Sequence, residues 1–170
     1  MPRKLNDSEK RTFRAARYAA LRSLEYTIGR LNDGDATVAR VWMGVSKPQN
    51  LKILAQRLGV IFEALQGIHQ DQITYDPNME DYAEVDVDDR AHNILLGRAF
   101  FTTETYGNDS RASTLIHEAS HFRDVQNTDD HACGAEECLR LVAQAKEKDG
   151  NLYKVLTNAE NWENLVSNSY

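Results

Sequence analysis

His117-Glu118-Ala119-Ser120-His121 is the stretch of this 170-residue sequence with the plainest chemical content. Two histidines at i and i+4 on a helix project from one face, so both rings can reach one Zn²⁺ at ~2.0–2.1 Å. Glu118, beside the first histidine, stands where a general base takes a proton from a metal-activated water and passes it to a leaving amine. Ser113-Thr114-Leu115-Ile116 ahead of it supplies the apolar side on which such a helix is buried. With that buried side and the acids downstream, the pattern reads as a site for one zinc ion per chain rather than a chance pair of histidines. Two histidines leave a catalytic zinc short of a ligand. His131 and the acids Asp124, Asp129 and Asp130 are all near in sequence. A ligand past His121 requires the helix to end and the chain to turn back. Gln126-Asn127-Thr128 suits that turn, since asparagine tolerates the left-handed conformation. Spacing alone leaves Asp129, Asp130 and His131 open as the third ligand.

These residues need a scaffold, and the periodicity supplies one. From Ser8 to Leu31, Phe13, Ala16, Ala20, Leu24, Ile28 and Leu31 recur every three or four residues, one face of a helix capped by Asp7 or Ser8. Asn32-Asp33-Gly34-Asp35 breaks it. A second helix starts near Pro48, with Leu51, Leu54, Ala55, Leu58, Ile61, Phe62 and Leu65 on its buried face. Short strands are expected at Ile73–Tyr75, Tyr82–Val87 and Asn93–Leu96, separated by Asp-Pro and acidic turns. Helical period returns from Ser110 through Phe122, again from about Ala132 to Lys146 with a stop at Asp149-Gly150-Asn151, and in a last short helix over Asn158–Ser167. The expectation is a mostly helical α+β fold with a small sheet. Without a repeat or linker, residues 1–170 read as one domain: a helical part to about 70, the sheet at about 71–100, and the zinc-binding part at about 105–170.

Composition narrows the class. With 41% hydrophobic and 27% charged residues, a chain of this length buries about 70% of its unfolded surface and needs no disulfide staples. Cys133 and Cys138, five apart on an expected helix, point to different sides and form no disulfide framework. No apolar run approaches the ~20 residues of a membrane span. The polar residues after Met1-Pro2-Arg3-Lys4 do not make a signal peptide, so export implies another route or a domain cut from something longer. The net charge of −6 hides an asymmetry. Residues 1–30 are basic, a pattern read as a solvated helix face, with nucleic-acid or membrane contact as the weaker alternative. Residues 71–90 carry eight acids against Arg90, and five more acids without a base follow from Asp124 to Cys138. Around a cleft such acids favour cationic substrates and metal ions.

His117-Glu118-Ala119-Ser120-His121-Phe122, followed by Asn127-Thr128-Asp129-Asp130, resembles the aspzincin metallopeptidases, the deuterolysin and peptidyl-lysine metalloendopeptidase group. That family pairs HExxH with a downstream Gly-Thr-x-Asp whose Asp is the third ligand. The resemblance therefore implies Asp130 as the ligand, with Thr128 at the family Thr and Asn127 in place of the glycine. It extends through Trp42-Met43-Gly44, Tyr82-Ala83-Glu84-Val85, Leu96-Gly97-Arg98-Ala99-Phe100-Phe101 and Asp109–Ile116, roughly residues 37–165. Asn158-Ala159-Glu160-Asn161-Trp162-Glu163 is similar to a segment of the lysine-specific members, in which two acids bind a lysine ammonium at S1′. Glu160 and Glu163, three apart on one helical face, are their counterparts here.

The main departure is His131-Ala132-Cys133-Gly134, where the family commonly reads Tyr-Ala-Tyr-Gly. The second tyrosine is thought to donate to the developing oxyanion, and a thiol donates only weakly. Three accounts stand: His131, Tyr106 or Tyr153 supplies the donor; Cys133 is a zinc ligand or redox switch; or the protein is a slow or inactive relative. The resemblance implies a zinc metalloendopeptidase cutting before lysine, with His117, His121 and Asp130 on the metal and Glu118 as base. Its partners would be polypeptides with exposed lysine and, for a delivered toxin domain, an inhibitor or immunity protein. The rival reading is a zinc-stabilised binding module that has lost catalysis.

Overall fold

Asn6 opens the first long helix. Its side-chain oxygen accepts from the Glu9 N–H at 2.9 Å while the Glu9 carboxylate accepts from the Asn6 N–H at 2.8 Å. This reciprocal cap satisfies two otherwise unpaired donors, and it falls just ahead of the expected Asp7 or Ser8. In the computed structural model, which describes residues 1–148 and 152–170, helix α1 is Asp7–Asn32, α2 is Thr37–Trp42 and α3 is Pro48–Gly67. The expected stripes meet: Phe13, Ala16, Ala20, Leu24 and Leu31 of α1 and Leu51, Leu54, Leu58, Ile61 and Leu65 of α3 are all buried. Ile28 and Phe62, at the stripe margins, are only partly covered. Pro48 occupies the first turn of α3 as its missing N–H allows. Helix α2, six residues long, is too short to show a stripe in sequence.

A four-stranded sheet follows, ordered β1-β2-β4-β3, from β1 Arg3–Lys4, β2 Ile73–Tyr75, β3 Ala83–Glu84 and β4 Ile94–Leu96. β2 and β4 pair in parallel with Ile73 opposite Ile94; β3 lies antiparallel to β4 with Ala83 opposite Leu96. The N-terminal strand was not expected. It is tied by Arg3 to Glu9 at 2.7 Å and by the Arg3 guanidinium over the Tyr75 ring at 4.8 Å. The expected strand over 82–87 stops at Glu84, because aspartates bend the chain that follows. Asp86 accepts from the Asp88 N–H at 3.0 Å and Asp89 from the Ala91 N–H at 2.8 Å, turns that compete with a ladder. Gly97, just after β4, is required by close approach: a Cβ there would sit 2.1 Å from the Asp81 carbonyl oxygen.

Helix α4 is Arg98–Thr102 and α5 is Arg111–His121, capped by Ser110, whose Oγ accepts from the Ser113 N–H at 3.2 Å. Helices α6 Ala135–Lys148, α7 Tyr153–Leu156 and α8 Ala159–Ser167 complete the fold. α6 begins after Gly134, which at φ +83° ends the preceding loop, three residues later than expected. Its expected stop at Asp149-Gly150-Asn151 lies outside the described residues. α5 packs against α1, α3 and α8, and buried apolar residues from all parts of the chain form one cluster. Among the described residues, no helix is long and apolar enough to cross a membrane.

Cations are distributed unevenly over these elements. Between Lys52 and Lys146 every one is an arginine, and several tie loops down. Arg111 Nε donates to the Phe100 carbonyl at 2.9 Å, Arg98 meets Glu80 at 2.6 Å, and Arg123 meets Asp88 at 2.7 Å. Lysines sit instead in β1, α1, α3, α6 and α7, with Lys47 at the N-cap of α3.

Candidate metal centre

His117 and His121, one turn apart on α5, turn their Nε2 atoms to the same carboxylate oxygen, Asp130 Oδ1, at 3.2 and 3.6 Å. One donor atom from each of the three residues lies within 4.8 Å of the others. Asp130 reaches this point because α5 ends at His121. Phe122 leaves helical geometry, Asn127 adopts φ +49°, and the Thr128 N–H returns to the Ser120 carbonyl at 3.2 Å. Asn127 thus makes the turn expected of it. Of the three candidates that spacing left open, Asp130 joins the histidines. Neither Asp129 nor His131 belongs to this donor group.

The far nitrogens are committed. His121 Nδ1 donates to the Thr128 carbonyl at 3.1 Å, and His117 Nδ1 to Glu163 Oε2 at 3.0 Å. Ser120 Oγ, within 2.7 Å of Thr128 Oγ1, braces the same loop. With both Nδ1 protons directed outward, two Nε2 lone pairs and a carboxylate converge, which is favourable only with a cation among them. The titration behaviour expresses the same demand. Burial disfavours a charged His117 ring, yet hydrogen bonds to Asp130 and Glu163 outweigh it and hold its pKa well above the usual value. Burial, then the neighbouring His117 charge, lowers that of His121. The hydrogen bond with His117 holds Asp130 low. Two imidazoles and one carboxylate are a donor set that suits zinc.

Glu118 stands on the wall between two cavities. One, of about 480 Å³, is bounded by Tyr82, Thr114, His117, Cys133, Glu160 and Glu163 among others. The other, of about 250 Å³, lies along Glu84, Val85 and Val87 of the edge-strand segment and reaches His121, Thr128 and Asp129. Ala83, Glu118 and Asp130 line both. Glu118 is 8% exposed, and its carboxylate takes no hydrogen bond among the described residues. Burial pushes its pKa up to about 7; His117 opposes the shift, and Asp130, Glu163 and Glu84 add to it.

Helix α8 forms the opposite wall. Asn158, fully buried before its first turn, accepts from the Ala132 N–H at 3.0 Å and donates to the Ala132 carbonyl at 3.1 Å and to Asn161 at 2.8 Å. Asn161 in turn donates to the Trp42 carbonyl at 2.6 Å. This network fixes the Asp130 loop to α8 and places Glu160 and Glu163 in the larger cavity. Glu160 accepts from the Gly134 N–H at 2.9 Å. Burial and the nearby Glu163 nevertheless raise its pKa.

The substituted position, Cys133, lines the larger cavity but stands outside both donor groups, the second being His117, Glu160 and Glu163. Burial, with Asp130 and Glu160 nearby, raises its pKa and so disfavours a thiolate. His131, paired with Thr157 at 3.0 Å, and the exposed Tyr106 and Tyr153 line neither cavity. Ser120, Glu84 and Asn158 also shape the site; each lies inside a motif the sequence offered, but none was assigned a role there.

A histidine pair on a buried helix, a carboxylate returning from the next loop and an unpaired glutamate beside them place this α+β chain in the HExxH metallopeptidase class. Within that class it belongs to the aspzincin family M35, whose model, described as lysine-specific metallo-endopeptidase, matches residues 30–165. An extracellular protease of Aeromonas hydrophila is 35% identical over 81 residues, 48% of this chain and 22% of that protein. A peptidyl-Lys metalloendopeptidase of Armillaria mellea is 38% identical over 76 residues, 45% of this chain and 20% of the other. One of Pleurotus ostreatus is 34% identical over 88 residues, 52% and 48% of the two. The matches thus span between a fifth and a half of the curated relatives' length. A solved zinc peptidase from Grifola frondosa shares the fold, with a TM-score of 0.78 over 96% of this chain and 97% of that one at 24% identity.

Proposed function

We propose that this chain is a zinc-dependent endopeptidase that cuts polypeptides on the N-terminal side of lysine, as an exported or delivered protein. The observation that carries the reading is the convergence of His117, His121 and Asp130 beside an unpaired, buried Glu118. His117, His121 and Asp130 would hold the zinc ion, which when bound supplies a Lewis acid that polarises the scissile carbonyl and acidifies water. Glu118 holds and moves the proton at its carboxylate, first accepting it from the attacking water and then delivering it to the departing amine. Glu160 and Glu163 provide counter-charge for a lysine ammonium in the larger cavity, where an unpaired cation would cost several kcal/mol. Arginine, with a wider planar head, needs a different set of acceptors. The peptidyl-Lys metalloendopeptidases of Armillaria and Pleurotus support the lysine preference, and the extracellular protease of Aeromonas supports export.

The test is to digest a denatured protein with the zinc-loaded chain and read the new termini by mass spectrometry. New N-termini beginning with lysine are expected, with arginine sites cut far less. Termini scattered over apolar residues would overturn the lysine assignment, and no cleavage at all would overturn the enzyme itself in favour of a zinc-stabilised binding module.

A further inference from the structure

Glu163 enters the reading above as an acid for the substrate's lysine, but its position in the fold assigns it a second task. It is 7% exposed, and its Oε2 accepts the Nδ1 proton of His117 at 3.0 Å. Glu160, one turn earlier on α8, is half-buried and bonds instead to the Gly134 backbone. The two acids of the motif therefore differ: one grips the cavity's backbone rim, the other a histidine of the metal site. An imidazole turns about its own bond unless something holds its second nitrogen, and a carboxylate there fixes both the tautomer and the ring plane.

We infer that Glu163 is a positioning residue for the metal site: from α8 it locks the His117 ring so that Nε2 faces His121 and Asp130. This deepens the proposed function and rests on its ligand assignment. It also makes one carboxylate common to both sites, because Glu163 lines the lysine cavity while holding the ring. An ammonium in that cavity and a metal on His117 would then be sensed by the same side chain.

The experiment measures zinc affinity by chelator competition, with the visible absorption of the Co²⁺-substituted chain as a second readout, in Glu163→Gln, Glu163→Leu, Glu160→Gln and His121→Ala. Far-ultraviolet circular dichroism checks folding. Glutamine keeps an acceptor for Nδ1 but not the charge; leucine removes both. A graded loss is expected, with Glu163→Leu weaker by about 10- to 100-fold, Glu163→Gln between it and wild type, and an altered Co²⁺ band in both. Glu160→Gln should bind zinc as wild type does. Wild-type affinity and spectrum in Glu163→Leu would overturn the inference. So would loss of metal in the Glu163 variants with retention in His121→Ala, since Glu163 would then be a direct ligand in the His117, Glu160, Glu163 group. Because these readouts need no cleavage, a failed lysine preference leaves them interpretable, and a failed affinity series leaves the digest result standing.

Discussion

The contact between α1 and α3 and the contact between α5 and α8 are both buried helix packings, filled with different chemistry. Phe13, Leu24, Leu54 and Leu58 represent the first: apolar side chains whose burial stabilises the fold by about 1.5–3 kcal/mol each and which ask only for matching volume. The second buries Ser113, Glu118, Ser120, His121, Asn158, Asn161 and Glu163. There nearly every polar atom has a named partner, since an unpaired one costs about 1–3 kcal/mol. Glu118, without a hydrogen bond among the described residues, is the exception, and it lines the two cavities. The first packing can drift in sequence and keep its function; the second fixes side-chain directions, which is what a reaction site requires.

Perturbing each side should separate these roles. The largest effect is expected from Glu118→Gln, which should lower kcat/KM for peptide hydrolysis by about 10²- to 10⁴-fold while metal content stays at the wild-type level. Peptide assays alongside elemental analysis check this. On the apolar side, Phe13→Ala should cost about 3–5 kcal/mol in urea denaturation and leave the specific activity of the folded fraction unchanged. Asn158→Ala tests the border between the two. It strands the Ala132 N–H and leaves its carbonyl only the Cys138 thiol, so a loss of about 1–3 kcal/mol is expected. Unlike Phe13→Ala, it should also weaken zinc binding, because the loop bearing Asp130 loses its tie to α8; chelator competition reads that difference.

The smallest effect lies far from the site, at the end of α1. Hydrogen bonds from Thr37, and then from Arg30, lower the Asp35 pKa to about 2. A carboxylate whose pKa falls on folding stabilises the protein above its unfolded value and loses that contribution as acid is added. The difference in urea midpoint between wild type and Asp35→Asn should therefore be full at neutral pH and fade between about pH 4 and pH 2. A difference that grew with acid would contradict the assignment.

The same contrast explains what could be read before folding. The α1 and α3 stripes repeat over several turns, so period alone located them. The histidine pair was legible for the same reason, being one helical turn wide. β1 is two residues long, and α2 and α7 only six and four, too short to carry a period. Asp130 could be separated from Asp129 and His131 only through a family resemblance, because a turn with φ +49° at Asn127 decides which side chain faces inward. The bond from His117 to Glu163 joins residues 46 apart in sequence, and no local pattern encodes it.

The placement of cations has a consequence for the protein's own survival. A peptidase must draw its target into an extended strand, and helical or sheet-paired backbone resists that handling until it opens locally. Here the long connections between α3 and α6 contain arginine but no lysine, and the lysines, Lys47 apart, are enclosed in regular structure. An enzyme with the proposed appetite would find almost nothing to bite in its own exposed loops. Concentrated stocks should consequently age by unfolding first and self-digestion second.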